Sequence, residues 1–232
     1  MRKGLFLVFV WLGGLSAVAQ NSDLYRDYVV RTGENAAIFS GQIKADYNRF
    51  FYDNTPYYLP DFADAYVVYN GNPYPAQKIL LDLYSEQAII MSPQRSFGIL
   101  LDSEKTDTVK FTTNNATFVW LKPPTGSGLN KGFYRLMLQG DEISLFCKDK
   151  YLISKMDLLE HFYLKQTYYV LKDGTFCPVK NKRSFRKLFP KYKKLINQFS
   201  KKSKLNFVER REDSLIKIAD YCDELLKQEA TQ

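Results

Sequence analysis

Between residues 63 and 179, short runs of apolar and aromatic residues alternate with polar residues and are separated by turn residues. Asn70-Gly71 and Asp173-Gly174 are the strongest turn signals, because these residues accept the positive φ angles of tight hairpins. No helical period interrupts the series, so the pattern predicts an antiparallel meander of many strands, as a half-barrel, a closed barrel or a sandwich. The predicted strands cover residues 36–43, 65–69, 77–84, 87–91, 97–101, 108–112, 117–121, 132–139, 143–148, 151–153, 166–171 and 175–179.

After residue 179 the apolar period changes from two to about 3.6, which indicates helices. Pro190 divides the first helical stretch into two short helices. A last helix is predicted from about residue 213 to 228, with Asp213 or Ser214 as its cap. The predicted fold class is α+β, mainly β, with two or three short C-terminal helices after a half-barrel or sandwich-like sheet. The apolar stripe of the first stretch consists of Phe185, Leu188, Phe189, Tyr192, Leu195, Ile196 and Phe199.

The first nineteen residues have the composition of a secretory signal peptide. Arg2 and Lys3 are positively charged, residues 5–15 are mostly apolar, and Ala17-Val18-Ala19 matches the small-x-small pattern that signal peptidase cleaves. A retained anchor is the alternative, but the apolar run is shorter than the ~20 residues that span a bilayer. We therefore predict cleavage after this pattern, export to the periplasm or the cell surface, and no transmembrane segment in the mature chain.

Neither an internal repeat nor a linker is visible in the remaining sequence. Residues 20–232 are therefore predicted to form a single β-rich domain with a basic helical tail at about 183–228.

Positive charge is concentrated in residues 180–204, which hold eleven Lys or Arg and no Asp or Glu. Without Arg2 and Lys3 the formal net charge falls from +8 to +6, so the rest of the mature chain is net −5. Such a face attracts phosphates, anionic glycans or lipid head groups; the alternative is a solvated face that only keeps the helices soluble. The predicted partners are an anionic glycan or lipid, or another envelope protein, and export argues against nucleic acid. The candidate anion-binding residues are Arg186, Lys187, Lys191 and Lys194.

Residues 47–62 are unusually aromatic, and Asn54, Pro56 and Pro60 break regular structure among them. We favour a plug that packs its rings against the sheet; a platform for a carbohydrate or another ligand is the alternative. The seven aromatic residues are Tyr47, Phe50, Phe51, Tyr52, Tyr57, Tyr58 and Phe62.

No recognised catalytic motif occurs in the chain. Its one histidine, His161, has Asp157 at i−4 and Glu160 beside it, an arrangement that would bring a carboxylate to the imidazole in a helix. Neither a Ser nor a Cys lies in a known nucleophile motif, so we predict a structural or surface role for His161. No catalytic residue and no cofactor is predicted.

The chain has three cysteines and few candidate metal ligands. Cys147 and Cys177 both fall in predicted strands, so a bridge between them is geometrically allowed, whereas Cys222 belongs to the apolar stripe of the last helix. The cysteines and the one histidine fit no standard zinc spacing, so no metal site is predicted. A group of acidic turn residues without an EF-hand pattern is predicted to be solvated, namely Asp102, Glu104 and Asp107.

Four segments of the chain resemble segments of a known group of proteins. They are Tyr57-Tyr58-Leu59-Pro60-Asp61-Phe62, Ala65-Tyr66-Val67-Val68-Tyr69-Asn70-Gly71, Leu80-Leu81-Asp82-Leu83-Tyr84, and the stretch from Lys172-Asp173-Gly174 through Val179-Lys180 into the helices. Together they are similar to a broad group of exported β-rich proteins of Gram-negative bacteria. The resemblance covers most of the mature chain and rests on turns, strands and core positions. It implies the fold and the exported location, but no activity and no functional residue.

These observations favour a non-enzymatic binding or structural module of the cell envelope. The alternative is a hydrolase of an unrecognised family that uses carboxylates set in the sheet, for which Asp82 and Glu86 are the nearest candidates.

Overall fold

The computed structural model describes residues 36–47, 51–123, 129–156 and 159–230. Its strands are β1 (Ala63–Tyr69), β2 (Asn72–Asp82), β3 (Gln87–Met91), β4 (Gly98–Leu100), β5 (Thr106–Phe111), β6 (Thr117–Leu121), β7 (Gly132–Gln139), β8 (Ile143–Met156), β9 (Leu159–Lys172) and β10 (Thr175–Val179). They form one antiparallel sheet in the order β10-β9-β8-β7-β6-β5-β1-β2-β3-β4. The predicted meander is confirmed, and the sheet is open, with β10 and β4 at its edges.

Two tight turns have the geometry that their sequences predict. Asn70 and Gly71 have φ angles of 52° and 73°, and Tyr69 pairs with Asn72 across the turn. Asp173-Gly174 has φ angles of 48° and 71° between β9 and β10. Positive φ at both central positions matches the twist of the flanking strands, which is why these turns fix the register of their hairpins.

The hairpin of β8 and β9 is much longer than the short runs predicted from alternation, with fourteen residues in each strand. Two lysines explain why β8 continues past residue 148, where the predicted run ends. Lys148 and Lys150 reach the carboxylate of Glu86, with Nζ–Oε1 distances of 2.9 and 3.3 Å. Because their charges are neutralised there while their aliphatic stems lie on the sheet, the strand continues through residues that the sequence pattern treats as loop.

The sheet curls so that the end of β2 approaches β8. The backbone N–H of Tyr151 donates to the carbonyl of Leu83 at 3.2 Å, and Lys150 Nζ donates to the carbonyl of Tyr84 at 2.8 Å. This contact joins strands that are five places apart in the sheet order, so the sheet has the shape of an open half-barrel.

The prediction of a strand at residues 36–43 is wrong. Ala37–Phe39 is a 3-10 helix, and the Ser40 hydroxyl donates to the Ala37 carbonyl at 2.7 Å, a local bond that competes with strand formation. The following residues lie along the edge strand β4: Lys44 N donates to Gly98 O at 2.9 Å, and Leu100 N donates to Gln42 O at 2.8 Å. This segment therefore covers one edge of the sheet without belonging to a regular strand.

Three helices follow the sheet: α1 (Lys182–Leu188), α2 (Lys193–Lys202) and α3 (Arg211–Ala230). Asn181 caps α1, since its Oδ1 accepts from the Arg183 and Ser184 backbone N–H groups at 2.9 and 3.3 Å. Pro190 begins a single 3-10 turn between α1 and α2, as its missing N–H predicts.

The last helix differs from its prediction, because α3 begins at Arg211 and has twenty residues. Ser214 lies inside its first turn, where its hydroxyl bonds Asn206 instead of capping the helix. Among the described residues, no helix is both long enough and apolar enough to cross a membrane.

One face of the sheet carries two hydrophobic clusters side by side. The register places Val109, Phe118, Arg135, Cys147 and Tyr168 in a row across this face, from β5 to β9. Over β1–β7 the face is covered by the 3-10 helix and residues 58–59, and over β8–β10 it is covered by the three helices. The helix cluster includes Phe185, Phe189, Ile196, Leu215, Ile218, Ala219 and Cys222. The predicted apolar stripes are thus buried or partly buried in this layer, except that Leu195 is 40% exposed.

A ligand cleft beneath the aromatic segment

The aromatic segment is fastened to the free edge of β9. Residues 51–54 run parallel to the strand, with Glu160 N donating to Phe51 O at 2.7 Å and Asp53 N donating to Glu160 O at 3.3 Å. The Asn54 side chain extends this pairing, because its Oδ1 accepts from Phe162 N at 2.8 Å and its Nδ2 donates to Phe162 O at 2.7 Å. One amide side chain thus satisfies both backbone groups of Phe162 on the side of β9 that has no neighbouring strand at this point.

The rings of the segment pack in two groups. Tyr47, Tyr52 and Tyr84 surround the buried ring of Phe162, with centroid distances of 5.2, 5.0 and 5.1 Å. A second group forms where the ring of Tyr58 lies against Phe111 and Phe118, at 5.3 and 4.6 Å. This packing agrees with a plug, since each group buries part of its aromatic surface against the sheet.

The segment also forms one wall of an open cleft with a volume of about 640 Å³, which is within the range of ligand sites, about 300–1,000 Å³. We call it the tyrosine cleft. Tyr151 of β8 contributes to its wall, so the cleft lies between the segment and the sheet. Its lining consists of Tyr47, Tyr52, Asp53, Asn54, Thr55, Tyr57, Tyr58, Pro60 and Tyr151.

Burial keeps three phenols of the cleft as neutral hydroxyls. Tyr47 donates to the buried carboxylate of Asp82 at 2.7 Å, and burial together with this bond raises the pKa of Tyr47 well above its usual value. Burial, and then the charges of Asp82 and Asp46, raise the pKa of Tyr57 to about 12. Burial also raises the pKa of Tyr58. Tyr57 and Tyr58 can therefore both donate and accept a hydrogen bond at neutral pH, whereas the single hydroxyl proton of Tyr47 already goes to Asp82, so this phenol offers a ligand only an acceptor.

His161 stands near the cleft, but in a different setting from the helix considered in the sequence analysis. It belongs to strand β9, and its Nδ1 lies 2.9 Å from Oδ2 of Asp53, a residue far away in the sequence. Asp157 lies outside the described residues. Both members of the His161–Asp53 pair are partly exposed, and the pair adds a third link between the aromatic segment and β9.

A second cleft, with a volume of about 490 Å³, lies on the same face near the start of α3. Gln166 belongs to its lining and is paired in register with Asp149, two residues from Tyr151. The second cleft therefore adjoins the row of residues across the sheet, because Tyr168 belongs to both. The second cleft is lined by Gln166, Tyr168, Val208, Glu209, Arg210, Arg211, Glu212 and Asp213.

A network of charged residues occupies the seam between the two hydrophobic clusters. Arg135 Nε lies 2.6 Å from Asp149 Oδ2, and Arg135 Nη2 lies 2.6 Å from Glu212 Oε1. Gln166 Nε2 donates to both carboxylates, at 2.8 and 3.0 Å. Burial alone would lower the pKa of Arg135, but the hydrogen bonds to Glu212 and Asp149 raise it above its usual value. The network ties the start of α3 to the sheet.

This network also brings together ligand atoms of Cys147, Asp149 and Glu212 within 4.8 Å of one another, a spacing that a metal ion can bridge. However, Arg135 already binds both carboxylates, and its charge opposes that of a cation. Burial raises the pKa of the Cys147 thiol, and its Sγ donates to Asp149 Oδ1 at 3.3 Å, so the thiolate that a metal requires is disfavoured. The arrangement fits an ion-pair network better than a metal centre.

The bridge between Cys147 and Cys177 is not formed, and all three cysteines are free. Cys147 pairs with Tyr168 on one side of β9, and Cys177 pairs with Val170 on the other. A whole strand therefore separates the two thiols, and two strand spacings amount to about 9–10 Å, more than a disulfide spans.

The acidic candidates have separate partners. Asp82 accepts from Tyr47 and from the backbone of Tyr84 and Ser85, while Glu86 binds Lys148, Lys150 and Phe133 N. Neither carboxylate lines either of the two described clefts. In the acidic turn, Asp102 pairs with Lys105, Glu104 pairs with Lys122 and Lys131, and Asp107 accepts from Gly71 N.

The four predicted anion-binding residues do not share one environment. Lys187 and Lys194 are exposed, as expected, and exposed Lys191 pairs with Glu229. The prediction that Arg186 faces solvent is wrong in part, because its Nε is buried and has no hydrogen-bond partner among the described residues.

Sequence reasoning identified the aromatic segment but missed its partners. Tyr151 and Phe162 fall in strands whose full length was not predicted, so nothing in the sequence joined them to residues 47–62. Asn54 was interpreted only as a break in regular structure, although asparagine side chains commonly hydrogen-bond backbone groups.

No protein-family model, curated protein or solved structure matches the chain. The similarity to exported β-rich proteins of Gram-negative bacteria therefore stays a prediction.

Proposed function

We propose that this protein is an exported, non-enzymatic binding module of the cell envelope that holds a neutral glycan in the tyrosine cleft. The single observation that carries the proposal is the convergence of five tyrosines on one open cleft, four from the aromatic segment and Tyr151 from the sheet.

The chemistry of tyrosine suits a sugar ring. A sugar has an apolar C–H face and an edge of hydroxyls, and a tyrosine has an apolar ring and a hydroxyl at its tip. Because Tyr57 and Tyr58 stay neutral, they can donate to sugar oxygens and accept from sugar hydroxyls, while Tyr47 can accept. Asp53 and Thr55 add polar groups to the same lining.

The charge of the cleft favours a neutral sugar over an acidic one. Asp53 lines the cleft, and Asp82 lies directly behind the Tyr47 hydroxyl. Lys44 stands over the ring of Tyr47, 4.5 Å from its centroid, but it does not line the cleft. A uronic acid would place its carboxylate near these two acidic groups.

Calorimetric titration with neutral trisaccharides tests the proposal, using chitotriose, cellotriose and maltotriose as probes. At least one probe should bind the wild-type protein with a dissociation constant below about 1 mM. Tyr57→Ala should weaken that binding at least tenfold, because it removes a ring and a hydroxyl from the cleft wall. Tyr163→Ala is the matched control, since Tyr163 is exposed on β9 and does not line the cleft.

Two results would overturn the glycan proposal. One is the lack of heat and of chemical-shift change with every probe at 10 mM in the folded protein. The other is binding that Tyr57→Ala and Tyr163→Ala weaken to the same extent.

Export is supported by the composition of residues 1–19, which lie outside the described residues. Expression of the full chain in a Gram-negative host, followed by fractionation and intact-mass measurement, checks it. We expect a periplasmic or surface product that begins at Gln20. A cytoplasmic product of full mass would contradict the export part of the proposal.

A further inference from the structure

Exposed lysines cover the outer side of α1 and α2, and in the part of the chain that the structure describes nearly all of them lack an acidic partner. Of the eleven Lys and Arg in residues 180–204, Lys191 alone is paired with a carboxylate among the described residues. We define the lysine face by the exposed residues Lys187, Lys193, Lys194, Lys201 and Lys202.

The buried side of α1 and α2 determines the direction in which the lysine face points. Phe185, Phe189 and Ile196 are buried against β8–β10 and α3. Since these anchors fix α1 and α2 on the sheet, the lysines of both helices point away from it. The acidic residues of α3 that are buried or half-buried, Glu212 and Asp223, bind the sheet and do not neutralise this face.

A leucine interrupts the lysine face. Leu195 follows Lys193 and Lys194 directly and is 40% exposed, although its position in the sequence stripe predicts burial. Because the apolar face of this ten-residue helix packs on the sheet, its outer side can attract an anionic bilayer through the lysines, and Leu195 adds one apolar contact among them.

We propose that the lysine face docks the protein peripherally on an anionic lipid bilayer, through the phosphate groups of its lipids. The cations are spread over two helices, and none of the five lysines lines either described cleft, so the geometry fits an extended surface better than a small anion. Each lysine near an anionic bilayer strengthens binding several-fold, and such contributions need no fixed geometry. The proposal is independent of the tyrosine cleft.

Sedimentation with vesicles tests it. The full chain should bind vesicles of phosphatidylcholine with 30% phosphatidylglycerol much more strongly than vesicles of phosphatidylcholine alone, and 0.5 M NaCl should abolish the difference. All variants carry the same amino terminus, so its contribution to lipid binding cancels. The triple variant K187E/K193E/K194E should lower the partition coefficient on anionic vesicles by about 100-fold.

The matched control is K110E/K155E/K165E, which changes the net charge equally at exposed lysines of the sheet. It should stay within about threefold of the wild type. Circular dichroism and thermal unfolding of both variants verify that they are folded. Equal loss in the two triple variants, no preference for phosphatidylglycerol, or binding of a 20-base-pair DNA duplex without vesicle binding would each overturn the proposal.

Discussion

Arg135 on β7 and Asp149 on β8 form a buried ion pair on one face of the sheet, with Nε 2.6 Å from Oδ2 and side-chain exposures of 16% and 3%. The pair lies between the two hydrophobic clusters of this face, and Arg135 extends it to Glu212 of α3. Its position makes it the polar link between the half that carries the tyrosine cleft and the half that carries the helices.

Replacement of Arg135 by Met should destabilise the protein by about 3–5 kcal/mol, because it leaves the buried Asp149 carboxylate without its counter-charge. Urea denaturation at pH 7 measures the change in the free energy of unfolding. Lys78→Met is the control, since Lys78 pairs with Asp64 on the surface and its loss should cost less than about 1 kcal/mol. Similar effects of both substitutions would contradict the assigned role of Arg135.

Asp223 of α3 should make the stability of the protein sensitive to acid. Its Oδ1 accepts from Glu142 N and Ile143 N at 2.8 and 2.9 Å, and its Oδ2 pairs with Lys227 at 2.8 Å. Burial acts to raise the pKa of Asp223, but the bonds from Lys227 and from the backbone outweigh it and lower the pKa. A carboxyl group whose pKa is lower in the folded state stabilises the fold at pH values above its unfolded pKa, which is about 4. This contribution is lost as the pH falls through the folded pKa.

Asp223→Asn should therefore lower the free energy of unfolding at pH 7 by about 1–3 kcal/mol. The difference from wild type should shrink between pH 5 and pH 2, as measured by urea denaturation at several pH values. Asp141→Asn serves as the control, because Asp141 pairs with the same lysine while exposed. A difference that persists unchanged at pH 2 would show that the charge of Asp223 is not responsible.

Asn54 should control the opening of the aromatic segment. Asn54→Ala removes both bonds to the Phe162 backbone, so the Phe162 amide should exchange with solvent at least tenfold faster. Hydrogen exchange followed by NMR or mass spectrometry measures this protection. Thr113→Ala, an exposed change in the turn between β5 and β6, should leave the amide of Phe162 unaffected. Unchanged protection in Asn54→Ala would mean that the aromatic packing alone holds the segment.

The three thiols should differ in reactivity. Cys177 on the edge strand β10 is partly exposed, whereas Cys147 and Cys222 are buried. Burial raises the pKa of Cys222 to about 12, and it raises the pKa of Cys147 as well, so both remain protonated thiols at pH 8.

A thiol reagent such as iodoacetamide should label Cys177 first in the folded protein and the other two only after unfolding. Mass spectrometry of proteolytic fragments identifies the labelled residue, and Cys177→Ser should remove the rapid labelling. Rapid labelling of Cys147 in the folded protein would contradict its burial between the two hydrophobic clusters.

Local sequence signals were enough to predict most strands and the helices in their order along the chain. Asn70-Gly71 and Asp173-Gly174 fix their hairpins because few residues accept positive φ, and the 3.6-residue period with Pro190 fixes the division between α1 and α2. These features depend on residues close together in the chain, so they can be predicted without knowledge of the fold. The strand prediction for residues 36–43 was wrong because apolar residues alone do not distinguish a strand from a 3-10 turn that covers a sheet edge.

The tyrosine cleft and the lysine face depend on contacts that the sequence did not predict. The sequence determined that residues 47–62 are rich in aromatic rings and that residues 180–204 are basic, but it left a plug and a ligand platform as alternatives. Only the tertiary structure brought Tyr151 and Phe162 to the aromatic segment, placed Arg135 between Asp149 and Glu212, and buried Arg186 Nε while exposing Leu195. The physical reason is that composition and period are properties of neighbouring residues, whereas these contacts join residues that are far apart in sequence and depend on how the sheet curls and which face the helices cover.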